Sequence, residues 1–168
     1  QLLQSAEAMK KGFELLEPLI QANESEASTS AQIVLATVKG DIHDIGKNIV
    51  ALMLSNHGFT VHDLGKDVEP RVIVDKAKET GADIIGLSAL MTTTMVQMKT
   101  VIDLAKTEGL TCRFMIGGAV INQAYADEIG ADAYAPDAHM AVKTARQLVT
   151  DDRGEKSLRT QKFKRSTK

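Results

Sequence analysis

From residue 31 onward the chain alternates two hydrophobic patterns. Short, largely apolar stretches give way to stretches in which apolar residues recur every three or four positions. The runs Ile33–Val38, Phe59–Asp63, Asp83–Ser88, Thr111–Ile116 and the short Ala131–Ala135 read as strands. Strands of a parallel sheet are buried on both faces and need no polar alternation. The segments Lys47–His57, Pro70–Thr80, Thr92–Glu108 and Asn122–Ile129 read as helices, each followed by a glycine in the position of a C-terminal cap. Pro70 suits a first helical turn. A fifth helix opens at Pro136 and carries Ala141, Ala145 and Leu148 on one face. Ahead of this region Leu2, Leu3, Ala6, Met9, Phe13, Leu16, Leu19 and Ile20 mark one amphipathic helix that needs a partner surface.

Five strand–helix units in succession imply an α/β fold, a parallel sheet covered by helices on both faces. With five strands and no sixth, the expected order is 2-1-3-4-5, the flavodoxin-like (Rossmann-like) arrangement. Its switch point lies between strands one and three, and ligands bind there beyond the carboxyl ends of the strands. Three loops converge at that end: 39–46, 88–94 and 117–121. Residues 23–30 are small and polar and read as a linker. The tail, 151–168, holds seven Lys or Arg against three Asp or Glu and reads as a solvated basic end.

Composition narrows the classes. The net charge is −2 over 168 residues, so nothing global points to nucleic acid or an anionic membrane. No apolar stretch approaches a membrane span and no signal-peptide layout is present. The one cysteine, Cys112, lies in an apolar run and reads as a buried, inert thiol; a cytoplasmic, reducing compartment fits. The first residue is Gln, so the chain reads as part of a longer protein.

The chemistry concentrates in the first loop, Lys39-Gly40-Asp41-Ile42-His43-Asp44-Ile45-Gly46-Lys47-Asn48. A phosphate-binding P-loop does not fit. Five residues separate Gly40 from Gly46 instead of four, and Asn48 stands where magnesium needs a hydroxyl. A phospho-accepting Asp41 lacks a preceding acidic pair, and Ala135-Pro136 occupies the place of a lysine after strand five. Asp41, His43 and Asp44 suit zinc or iron, but a mononuclear site needs more ligands. His57 and His62 read as surface or edge residues, and His139 as an exposed one. A fourth reading pairs Asp41 with His43. The carboxylate fixes the imidazole tautomer, leaving the other nitrogen free as one axial ligand to a metal already held by a macrocycle.

These residues resemble a known family. Asp41-x-His43-x-x-Gly46, Gly86-Leu87-Ser88 and Gly117-Gly118 are similar to the cobalamin-binding module. The run Thr37 to Val50 resembles its methyl-transferring branch, methionine synthase and the methyltransferase corrinoid proteins. The resemblance covers about 31–150. It implies cobalamin (a corrinoid holding cobalt) bound base-off, with His43 as the lower axial ligand. Asp41 would bond His43, and Thr94 would continue the relay. Gly40, Asp41, Ile42, His43, Asp44, Gly46, Ser88, Leu90, Thr92, Gly117, Gly118 and Ala138 would form the cofactor site. Asp44 and Lys47 carry the family wording without an assigned role. Residues 1–22 would be the last helix of a helical cap domain. The implied function is a methyl carrier alternating between Co(I) and methyl-Co(III), as a subunit or a fragment of a cobalamin-dependent methyltransferase. The implied partners are a substrate-specific methyltransferase, an acceptor methyltransferase and a reductive activation protein. An adenosylcobalamin mutase subunit or a cobalamin-sensing regulator stays as the alternative.

Overall fold

The structure, a computed structural model, describes residues 31–151. The expected N-terminal helix, the linker and the basic tail from 152 on lie outside the described residues. The strands are β1 (Gln32–Thr37), β2 (Thr60–Asp63), β3 (Ile84–Ser88), β4 (Arg113–Gly117) and β5 (Ala133–Tyr134). The helices are α1 (Ile45–Asn56), α2 (Pro70–Thr80), α3 (Thr92–Thr107), α4 (Gln123–Ile129) and α5 (138–151). All strand pairs are parallel, in the order β2-β1-β3-β4-β5. This is the expected flavodoxin-like order, with the chain reversing direction across the sheet between β1 and β3.

Alternate residues of the strands feed two cores. On one face Val34, Ala36, Ile85, Leu87, Phe114 and Ile116 pack against α2, α3 and α4. On the other Ile33, Leu35, Ile84 and Met115 meet Leu54 of α1 and Ala141, Val142, Ala145 and Leu148 of α5. On this second face Ile49 and Val50 of α1 are only half-buried, because a cleft separates α1 from α5 near the carboxyl ends of the strands.

Several boundaries differ from the sequence reading. Helix α1 begins at Ile45, two residues early, since the Asn48 N–H already reaches the Asp44 carbonyl at 2.9 Å. Strand β4 starts at Arg113, where pairing to Ile84 begins, and includes Gly117. Strand β5 is only two residues long, because pairing to β4 is confined to Met115 and Ile116. The last helix opens after Pro136. Asp137 caps it, its Oδ1 accepting the Met140 N–H at 2.8 Å.

Candidate functional site

Asp41 lies just past β1, fully buried, on a turn closed by its own N–H to the Val38 carbonyl at 3.1 Å. The turn needs a positive φ at its third residue, and Gly40 supplies +81°. Both Asp41 oxygens are saturated. Oδ1 accepts the His43 N–H at 3.1 Å and lies 2.8 Å from His43 Nδ1. Oδ2 accepts the N–H groups of Leu90 and Met91, at 2.8 and 3.3 Å, and the Thr94 hydroxyl at 2.7 Å. Helix α3 has no side-chain cap of its own. Asp41 does that job from another strand, placing a carboxylate at a helix N-terminus where the dipole favours it.

Burial alone would push the Asp41 carboxyl up. It is outweighed by the hydrogen bonds from Leu90, Thr94 and His43, which hold the group well below the usual carboxylate range. An ionised carboxylate only accepts, so His43 Nδ1 carries the proton and donates it. The Nε2 lone pair is therefore free, on a side chain 46% exposed. One imidazole nitrogen is aimed outward with its tautomer fixed from behind, the arrangement that prepares histidine for a metal.

Beside this arm runs the cleft, about 570 Å³, between α1 and α5. Leu35, Gly86 and Met115 form its floor, with Ser88, Gly117 and Gly118 towards the loops. Gly46, Ile49 and Val50 make one wall; Ala135, Asp137, Ala138 and Ala141 make the other. Two of these glycines let backbone segments approach closely at the loop end of the cleft. A Cβ on Gly117 would lie 2.9 Å from the Ala135 carbonyl oxygen, and one on Gly118 would lie 1.9 Å from that of Ala89.

The structure places the expected site residues in three groups. Asp41, His43 and Thr94 are directly joined. Gly46, Ser88, Leu90, Gly117, Gly118 and Ala138 line the cleft. Gly40 shapes the turn, Ile42 is 63% exposed beside His43, and Asp44 precedes α1 without capping it by its side chain. Thr92 opens α3, exposed and away from the cleft lining. His57 and His62 are bonded locally, to the Met53 carbonyl and to Gln32, each at 2.7 Å. No cluster of three or more metal-ligating side chains exists among the described residues. Burial pushes the Cys112 thiol up to about 11, so it stays protonated at neutral pH.

Two features escaped the sequence. The Leu90 and Met91 N–H groups carry no residue signature. Lys47 is almost fully buried in the first turn of α1, paired to both oxygens of Asp63 and donating to Asn48 Oδ1 at 2.8 Å. It bolts α1 to the end of β2. Its signal was a lysine inside an apolar helix face, but the partner lies a full strand–helix unit away. Lys47→Met should lower stability by about 2 kcal/mol, less than a fully buried pair because Asp63 still reaches water; a thermal melt checks it.

The B12 binding domain family matches residues 31–143. The dimethylamine corrinoid protein 1 of Methanosarcina acetivorans is 51% identical over 150 residues, 88% of this chain and 70% of that protein. The monomethylamine corrinoid protein of Methanosarcina barkeri superposes with a TM-score of 0.78 at 38% identity, over 88% of this chain and 70% of that one. A chain of the methanol:cobalamin methyltransferase complex of Methanosarcina barkeri gives 0.70 at 32% identity, over 88% of this chain and 56% of that one. A Vibrio cholerae chemotaxis protein, 14% identical with a TM-score of 0.52, shares the fold alone.

Fold and site thus define a corrinoid-binding module of the methyltransferase type. The chain belongs to the B12 binding domain family, and its cofactor is a corrinoid. The residues present fit such a group. A lone nitrogen suits a metal whose remaining ligands come from a macrocycle, and an open cleft of about 570 Å³ lined mainly by glycine, alanine and aliphatic residues suits a slender appended tail. Among the described residues no helix is long and apolar enough to cross a membrane.

Proposed function

We propose that this chain is a methyl carrier that holds its corrinoid base-off, with His43 Nε2 as the lower axial ligand to cobalt. The observation that carries this reading is the pairing of His43 Nδ1 with the buried Asp41 carboxylate at 2.8 Å, beside the glycine-lined cleft. When bound, the corrinoid supplies a cobalt that takes a methyl group from a donor and hands it to an acceptor.

The chain's own residues bind and orient. Asp41 keeps the proton on Nδ1 and the Nε2 lone pair turned outward. Thr94 keeps Asp41 in place through a 2.7 Å hydrogen bond. Ser88, Gly117, Gly118 and Ala138 would seat the displaced nucleotide tail, with Leu90 at the mouth and Ile42 exposed beside His43. A donor methyltransferase, an acceptor methyltransferase and a reductive activation protein would dock in turn. Methylated amines are the favoured donor class, since a similar protein is a dimethylamine corrinoid protein. The lone, unreactive cysteine fits a cytoplasmic carrier.

The test is to load wild type and His43→Gly with hydroxocobalamin, desalt, and record visible spectra. Both should retain corrin, and only the wild type should show the histidine-ligated spectrum. Identical spectra would remove His43 as the ligand.

A further inference from the structure

We propose that Asp67, on the loop between β2 and α2, is the positioning residue that sets the reach of His43; this rests on the axial-ligand reading above. Among the described residues Asp67 alone, glycines aside, has a positive φ, +53°. That conformation is disfavoured for an L-residue and persists where contacts over-determine it.

Those contacts grip a single point of the ligand loop. Asp67 Oδ1 accepts the Gly40 N–H at 2.7 Å, and the Asp67 N–H donates to the Asp41 carbonyl at 3.0 Å. The same segment zips along the turn on either side. The Thr37 N–H reaches the Gly65 carbonyl at 2.9 Å, the Val68 N–H reaches the Thr37 carbonyl at 3.1 Å, and Lys39 pairs with Glu69 at 2.5 Å. At the far end of the ligand loop Lys47 is tied to Asp63. Residues 40–47 are therefore suspended from residues 63–67 at both ends, and His43 lies two positions beyond the gripped carbonyl.

The two aspartates divide the work. The Asp41 side chain fixes the imidazole ring, and Asp67 fixes the backbone from which Asp41 and His43 both project. A ligand tethered to the protein acts at an effective concentration that rises as its mounting stiffens. Loosening the clamp should leave the ring's chemistry intact and lower that concentration.

Asp67→Gly separates these effects, since glycine accepts the backbone conformation and removes only the carboxylate. Asp67→Asn keeps an acceptor oxygen and also tolerates a positive φ. The full chain, loaded with hydroxocobalamin and reduced to Co(II), is read by electron paramagnetic resonance. The ¹⁴N of His43 splits the signal into triplets, and added ¹⁵N-imidazole gives doublets. The imidazole concentration that displaces half of His43 should fall about tenfold in the glycine variant, equivalent to about 1.4 kcal/mol. In the asparagine variant it should stay within about twofold of wild type, because the hydrogen bond survives. An unchanged concentration in Asp67→Gly overturns the proposal. So does a glycine variant that is unfolded at the assay temperature, since Asp67 would then be an element of the fold rather than a positioning residue. A wild type without triplets defeats the axial-ligand reading itself.

Discussion

Asp41→Ala will lower the stability of the module by about 4 kcal/mol, because it removes a fully buried carboxylate that satisfies donors on three segments at once. The Leu90 and Met91 N–H groups, the Thr94 hydroxyl and the two His43 donors all converge on this carboxylate. The loss should appear as a drop in melting temperature on the order of 15 °C. Asp41→Asn will cost less and reveal more. Its single oxygen will stay with Leu90 and Thr94, turning the amide N–H₂ towards His43. Nδ1 must then accept, so the proton moves to Nε2 and the outward lone pair disappears. Nitrogen chemical shifts of His43 in the cofactor-free protein should report the exchanged tautomer. Acid sensitivity follows from the same site. The folded carboxyl titrates below its unfolded counterpart. Its contribution is therefore complete above the unfolded value of about 4 and is lost as pH falls through the lower, folded one. Between about pH 4 and pH 2 the wild type should lose stability by up to about 1.4 kcal/mol per pH unit from this group. Asp41→Asn should lack that component, and urea melts across the range would measure it.

How much of this was legible in the residues depends on where each partner lies. The strand order was readable because glycine-punctuated helices alternating with short strands leave few topologies for five parallel strands. Edges were less so: β5 ends after two residues because pairing stops at Ile116, a fact of the neighbouring strand. The Asp41–His43 pair was legible since its members are two positions apart on one loop. Its link to Thr94 was visible only through family resemblance, since the two lie 53 positions apart. The role of Asp67 was not readable at all, and that of Lys47 showed only as a lysine on an apolar helix face with no partner in view. Lys47 acts on the end of β2 and Asp67 from the loop that follows it, and their contacts exist only once β2 is registered beside β1. Thr92 was expected at the cofactor site beside Ser88. Starting α3 at Thr92 leaves it exposed, whereas Ser88, the last residue of β3, lines the cleft.

Gly118→Ala will be damaging to the fold and worse for the cofactor. Gly118 holds φ +130°, which L-residues rarely adopt, and its added Cβ would lie 1.9 Å from the Ala89 oxygen and 2.8 Å from the Ala89 carbonyl carbon. These are backbone atoms, so no rotamer change relieves the clash. The Ala89 N–H also donates to the Gly117 carbonyl at 3.2 Å, and the two loops cannot part without breaking that bond. A loss of about 3 kcal/mol is expected from strain of this kind. The displacement has a second consequence. Ala89 leads into Leu90 and Met91, whose N–H groups hold Asp41 Oδ2. Pushing that loop outward withdraws donors from Asp41 and frees the carboxylate that orients His43. Gly46→Ala provides the contrast. Its Cβ would meet nothing within 4 Å, and it sits in helix α1, where alanine is favoured by about 0.5–1 kcal/mol. Gly46 nonetheless lines the cleft. The alanine variant should therefore melt at or above the wild-type temperature while retaining less hydroxocobalamin after desalting. Equal retention in Gly46→Ala and wild type would show that this wall of the cleft does not meet the cofactor. Retention lost only in Gly118→Ala would then place the tail's seat against the β3 and β4 loops alone.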